Sequence, residues 1–78
     1  MIIKANIVGM REVHYTNSQG REVNGRNLYY IFEDDHIVGN GADSVYLPDS
    51  KYKSEIFTVG DFCRIAVVKG YKEFVERI

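Results

Sequence analysis

The sequence predicts an all-β fold, on three observations. Helical periodicity is weak throughout. Runs of β-branched and aromatic residues recur along most of the chain, separated by Gly, Asn and Asp. The single proline, Pro48, ends one of these runs, as an edge strand or loop requires.

The first run, Ile2 to Thr16, alternates Ile3, Ala5 and Ile7 against Ile2, Lys4, Asn6 and Val8, then continues past Gly9 as Met10, Val13 and Tyr15. A glycine inside a long strand pattern marks a bulge or bend, so Gly9 is the expected corner. A long polar loop with Gly20, Arg21, Gly25 and Arg26 leads into Leu28-Tyr29-Tyr30-Ile31-Phe32, apolar on both faces. Arg26, Leu28, Tyr30 and Phe32 share one face of that strand, and Asn27, Tyr29 and Ile31 the other. If the Leu28 face is core, Tyr29 is exposed; if the reverse holds, Arg26 and Tyr30 are.

Asn40-Gly41 reads as a turn, and Ser44 to Leu47 as a short strand ended by Pro48. The stretch from Asp49 to Asp61 is the one place for a short helical turn, punctuated by Gly60-Asp61. Phe62 to Lys69 alternates Cys63, Ile65 and Val67 against Phe62, Arg64, Ala66 and Val68, and Lys69-Gly70-Tyr71-Lys72 closes a hairpin onto Phe74 to Ile78. Five strands with a long bent first strand, an irregular crossing after the third and a final hairpin are the element order of an OB-fold-like Greek-key barrel, with an SH3-like barrel as its rival. At 78 residues the chain is a single domain, 1–78, with little core to spare.

Composition narrows the function classes. Cys63 is the only cysteine, so no internal disulfide forms, and no Cys/His set has metal-ligand spacing. No run reaches the ~20 apolar residues of a membrane helix, and the N-terminal stretch is not a signal peptide; a cytoplasmic protein without membrane contact is expected. Asp34, Asp35 and His36 are adjacent and point in different directions if extended, a poor acid/base constellation. His14 lacks a marked partner, Cys63 reads as a small buried hydrophobe, and Gly39-Asn40-Gly41 is followed by no lysine or helix start. The expectation is a non-enzyme without cofactor or metal.

The net charge is -1, but the charges are segregated. Residues 1–30 set Lys4, Arg11, Arg21 and Arg26 against Glu12 and Glu22; residues 31–49 carry Glu33, Asp34, Asp35, Asp43 and Asp49 with no Lys or Arg; residues 50–78 return to an excess of cations. A basic and an acidic face follow if the first and last strands meet. Six tyrosines are many for a barrel this small, and tyrosine tolerates one wet edge. Exposed rings beside arginines suit single-stranded nucleic acid, because bases stack on rings and guanidinium groups hold phosphates. Arg11, Tyr15, Arg21, Arg26, Tyr29, Tyr30, Lys51 and Lys53 are the candidate contacts. The competing use of the same rings is to cover barrel ends or dock a protein partner.

The MIIK strand, the polar Gly/Arg hairpin wing, the step from Gly25-Arg26 into an aromatic strand and the terminal Gly-aromatic hairpin together resemble the small helix-destabilising, single-strand DNA-binding proteins of filamentous bacteriophages and related mobile elements. The resemblance runs over nearly the whole chain in order of elements. It implies a homodimer active in DNA replication that binds single-stranded DNA with little sequence preference, RNA not being excluded. Arg21 and Arg26 would be the wing cations, and Tyr29 or Tyr30 the stacking ring. The acidic Glu33-Asp34-Asp35 run has no counterpart in that resemblance.

Overall fold

The computed structural model describes all 78 residues. Five strands, β1 (Ile2–Thr16), β2 (Glu22–Glu33), β3 (Asn40–Pro48), β4 (Phe62–Val68) and β5 (Tyr71–Arg77), form one antiparallel sheet in the order β3-β2-β1-β4-β5. The only helix is one turn, α1 (Asp49–Tyr52), so the fold is all-β. No helix is long and apolar enough to cross a membrane.

β1 holds the sheet together because it serves two neighbours. Its first part, Ile2–Asn6, pairs with β4, and Asn6–Thr16 pairs with β2. Within the β2-paired stretch the register slips: Ile7 lies opposite Tyr30 but Gly9 lies opposite Tyr29, leaving Val8 as the extra residue of a bulge. Gly9 is thus the corner its sequence position predicts. The Tyr29 ring lies over it, with Cδ2 3.6 Å from where a Cβ would stand.

Ile3, Ala5 and Ile7 of β1, Leu28 and Tyr30 of β2, Val45 and Leu47 of β3, Cys63 and Ile65 of β4, and Phe74 of β5 turn into one core. Burial of each Ile, Leu or Val side chain contributes about 1.5–3 kcal/mol. Phe57, from the crossing after α1, closes one end. Its ring meets Phe74 edge-on at 5.3 Å between centroids, and Tyr52 meets Phe74 in the same way at 5.6 Å. The crossing docks on the bulge: Ile7 N–H donates to Asp61 O and Gly60 N–H donates to Ile7 O.

Four local expectations change. The first loop is only Asn17–Arg21, and β2 begins at Glu22, so Gly25 and Arg26 are strand residues. Asn17 makes the short loop possible, since its Oδ1 accepts from the N–H groups of Gln19 and Arg21. The second turn is Asp34–Gly39 rather than Asn40-Gly41: Asp34 Oδ1 accepts from His36 N–H, Gly39 takes a φ of 87°, and Gly41 lies inside β3 beneath the Phe32 ring. The last strand starts at Tyr71, because Lys69 and Gly70 both take positive φ (48° and 82°), the two-residue turn that matches strand twist. The first and last strands do not pair, because β4 lies between β1 and β5.

The outer strands β3 and β5 come into contact, but no hydrogen-bonded ladder joins them. Lys72 Nζ, 2.7 Å from Asp43 Oδ1, bridges the seam instead. The β1–β2 hairpin runs on beyond the core. The Cα radius of gyration, 13.4 Å, therefore exceeds the roughly 11.5 Å of a compact chain of this length.

Candidate nucleic-acid interface

The register of β1, β2 and β3 decides which side chains share the outer face. Because Leu28 and Tyr30 are buried, their neighbours Asn27, Tyr29 and Ile31 point outward. Pairing then places Gly9 and Ser44 beside Tyr29, Arg11 and Tyr46 beside Asn27, and Val13 and Pro48 beside Gly25. Tyr15, paired with Val23, extends the same face along the projecting hairpin.

Three tyrosine rings thus stand on one surface, with exposures of 56% for Tyr15, 37% for Tyr29 and 40% for Tyr46. Tyr46 lies over Gly25, where a Cβ would come within 2.6 Å of its hydroxyl oxygen and of the Leu47 carbonyl. Partial burial, with Tyr15 and Asp49 nearby, pushes the Tyr46 phenol pKa up, so it stays neutral well past physiological pH.

The same face continues across the seam. Asn27, Ser44, Val45, Tyr46 and Pro48 line a concavity of about 510 Å³ whose far wall is Tyr71 and Lys72 from the β4–β5 hairpin. Tyr71 is 67% exposed. The side chains of Asn27 and Ser44 make no hydrogen bond within the chain, so both are free to meet a ligand. Tyr46 and Tyr71 were not among the candidate contacts. The alternation of Tyr46 with Val45 and Leu47 marks it as outward-facing, but only the β2–β3 register brings it beside Tyr29 and Arg11.

The eight sequence candidates divide. Arg11, Tyr15 and Tyr29 share the outer face, and exposed Arg21 stands at the hairpin tip. Tyr30 does not belong: its ring is 1% exposed, packed 6.0 Å from Phe32, and burial pushes its pKa up to about 12. Its hydroxyl has no hydrogen-bond partner. Arg26 is also withdrawn, because it faces inward at the end of the core. Its guanidinium donates to Tyr52 O at 2.6 Å and lies 5.1 Å from the centre of the Phe57 ring. Lys53 lies on that side too, beside Glu12 and Arg26. Lys51 stands near the seam, 3.7 Å from Glu73 and 5.4 Å from the Tyr52 ring centre.

On the opposite side of the hairpin, His14 Nδ1 is 2.9 Å from Asn24 Oδ1 and Nε2 is 3.4 Å from Glu12. Those neighbours raise its pKa, the Asn24 hydrogen bond foremost and the Glu12 carboxylate next. Cys63 is fully buried, which pushes its thiol pKa up. Nowhere do three or more His, Cys, Asp or Glu side chains converge as a metal site would need.

The charges follow the long axis of β2. Arg21 stands beside its first residue, and Glu33, Asp34 and Asp35 at its last, so the acidic run lies at the end away from the hairpin tip. Comparison with protein-family models, with curated proteins and with solved structures gave no match.

Proposed function

We propose that this protein binds single-stranded nucleic acid, largely without regard to sequence, on the outer face of β1, β2 and β3. The observation that carries the reading is the sharing of that face by Tyr15, Tyr29, Tyr46 and Arg11, with the Tyr71 concavity beside it. Stacking on a ring is worth about 1–3 kcal/mol per base and accepts every base, while duplex DNA keeps its bases stacked inside and offers none. Arg11 and Arg21 meet phosphates. In an OB-fold-like barrel the face of strands 2 and 3, flanked by the first and last hairpins, is where oligonucleotides bind. The reading also agrees with the likeness to the phage helix-destabilising proteins, whose role would be in replication.

The test is titration of the protein into fluorescent oligo-dT and a matching duplex at two salt concentrations. Tight, salt-sensitive binding to the single strand and weak binding to the duplex is the expected result. Arg11→Ala and Arg21→Ala should each flatten the salt dependence, by about 0.7 in the log–log slope for each phosphate left without its cation. Equal affinity for the duplex, or no binding at low salt, overturns the reading.

A second reading has its own observation. The outer face of β1, β4 and β5 exposes Ile2, Val68 and Val75 together with Ile78. A surface of this kind suits a protein contact, and a second copy of the chain is the occupant that the homodimer expectation supplies. Light scattering tests it: a dimer at micromolar protein supports the homodimer, and a monomer at every concentration removes it. If the protein also ignores oligonucleotides, an accessory module that docks another protein becomes the better account.

A further inference from the structure

Beyond Tyr29, toward the acidic end of β2, the outer face opens into a second groove of about 510 Å³. Ile31, two residues from Tyr29, pairs with Asn6, and Asn6 pairs with Phe62. Successive outward residues on a strand lie ~7 Å apart. The groove is therefore the next position along the tyrosine face rather than a separate site.

Its polar groups have a consistent character. The Glu33 carboxylate makes no ion pair and accepts no hydrogen bond, although cations stand elsewhere on the surface. The Asn40 side chain on the facing strand makes no hydrogen bond either. Asn6 Oδ1 is buried without a partner, an acceptor whose desolvation nothing in the chain offsets. The apolar part is Ile31, Phe32 and the exposed ring of Phe62, and Lys4 Nζ stands 4.9 Å from the centre of the Phe62 ring. The groove thus combines a flat apolar wall, one cation at its rim and two accessible polar groups without partners, the acceptor-only Glu33 carboxylate and the Asn40 amide.

We propose that this groove is a base-selective subsite that takes one nucleobase bearing an exocyclic amine, cytosine in preference to thymine, from the strand bound on the tyrosine face. The inference rests on the single-strand reading above and adds selectivity to it at one position. A carboxylate accepts from an amine such as N4 of cytosine. Thymine places a carbonyl oxygen at the same point and meets repulsion. Asn40 complements the remaining edge, since an amide both donates and accepts. Phe62 provides the stacking surface and Lys4 the cation for the adjoining phosphate. The carboxylate near a phosphodiester chain thereby gains a role: it pairs with a base edge where a phosphate would be repelled.

The test compares oligo-dC with oligo-dT of equal length, for the wild-type chain and for Glu33→Ala and Asn40→Ala. The wild type should bind oligo-dC on the order of 5–10-fold more tightly, as one good edge contact provides. Glu33→Ala raises affinity for both strands by removing a negative charge, so the ratio is the readout, and it should collapse toward one. Asn40→Ala should lower the ratio with no change in net charge. Tight binding to oligo-dT with no preference for oligo-dC, or a preference that survives Glu33→Ala, overturns the subsite and leaves the single-strand reading standing. Failure to bind either strand overturns both.

Discussion

Neighbouring tyrosines of β2 have opposite fates, and the difference is testable side chain by side chain. Tyr29 is partly exposed over Gly9, whereas Tyr30 is in the core with an unpartnered hydroxyl. Under the proposed function, Tyr29→Ala and Tyr46→Ala should each weaken oligo-dT binding about 5- to 150-fold, the range that removal of one stacking ring spans. Tyr30→Phe should leave binding unchanged. It should also leave the melting temperature equal or higher, because a buried hydroxyl without a partner carries a desolvation cost of about 1–3 kcal/mol. A Tyr30→Phe variant that binds poorly but melts normally would return that residue to the interface. Sequence alternation separated the two faces of this strand without deciding which was inner, since Leu28, Tyr29, Tyr30, Ile31 and Phe32 are all compatible with a core. Arg26 illustrates a different limit: only the tertiary position of Phe57, distant in sequence, shows that its guanidinium closes one end of the core.

Among the elements, the strands that alternate cleanly were the legible ones. β1 with its Gly9 corner, β4 with buried Cys63 and Ile65, and Pro48 at the end of an outer strand all follow from local pattern. The start of β2 did not, because Glu22-Val23-Asn24-Gly25 pairs on a hairpin with little core beneath it, and without burial the polar residues read as loop. Gly25 and Gly41 misled in the same way. Both are buried strand glycines under aromatic rings on β3 and β2 respectively, a cross-strand arrangement that restores the side-chain cover a glycine lacks. Gly25→Ala should therefore destabilise the domain by about 1–3 kcal/mol, because the added methyl would meet the Leu47 carbonyl as well as the Tyr46 ring. Chemical denaturation measures this effect, and an unchanged midpoint would show that Tyr46 swings away at no cost.

For the molecule as a whole, the seam between β3 and β5 is the weak boundary, held by side chains where a ladder is absent. The Lys72 ammonium, with the Ser44 N–H as a second donor, lowers the Asp43 pKa. A depressed carboxylate pKa contributes stability that is present above the unfolded value and is lost as pH falls through the folded one. The melting temperature of Asp43→Asn should thus lie below that of the wild type at pH 7, and the gap should close as the pH drops below about 4. A gap independent of pH would mean that the pair does not hold the seam. The bulge at Val8 has a reach of the same molecular scale. Ile3, Ala5 and Ile7 face inward, so strict alternation would carry Arg11 and Tyr15 inward with them; the one extra residue reverses that parity and sends both outward. β1 therefore has a reading frame in space, and Val8 is its inserted letter: deletion of Val8 would leave Arg11 and Tyr15 outward in their present register, whereas a strand that kept Val8 but lost the bulge would turn both inward and bring Glu12 and His14 to the outer face.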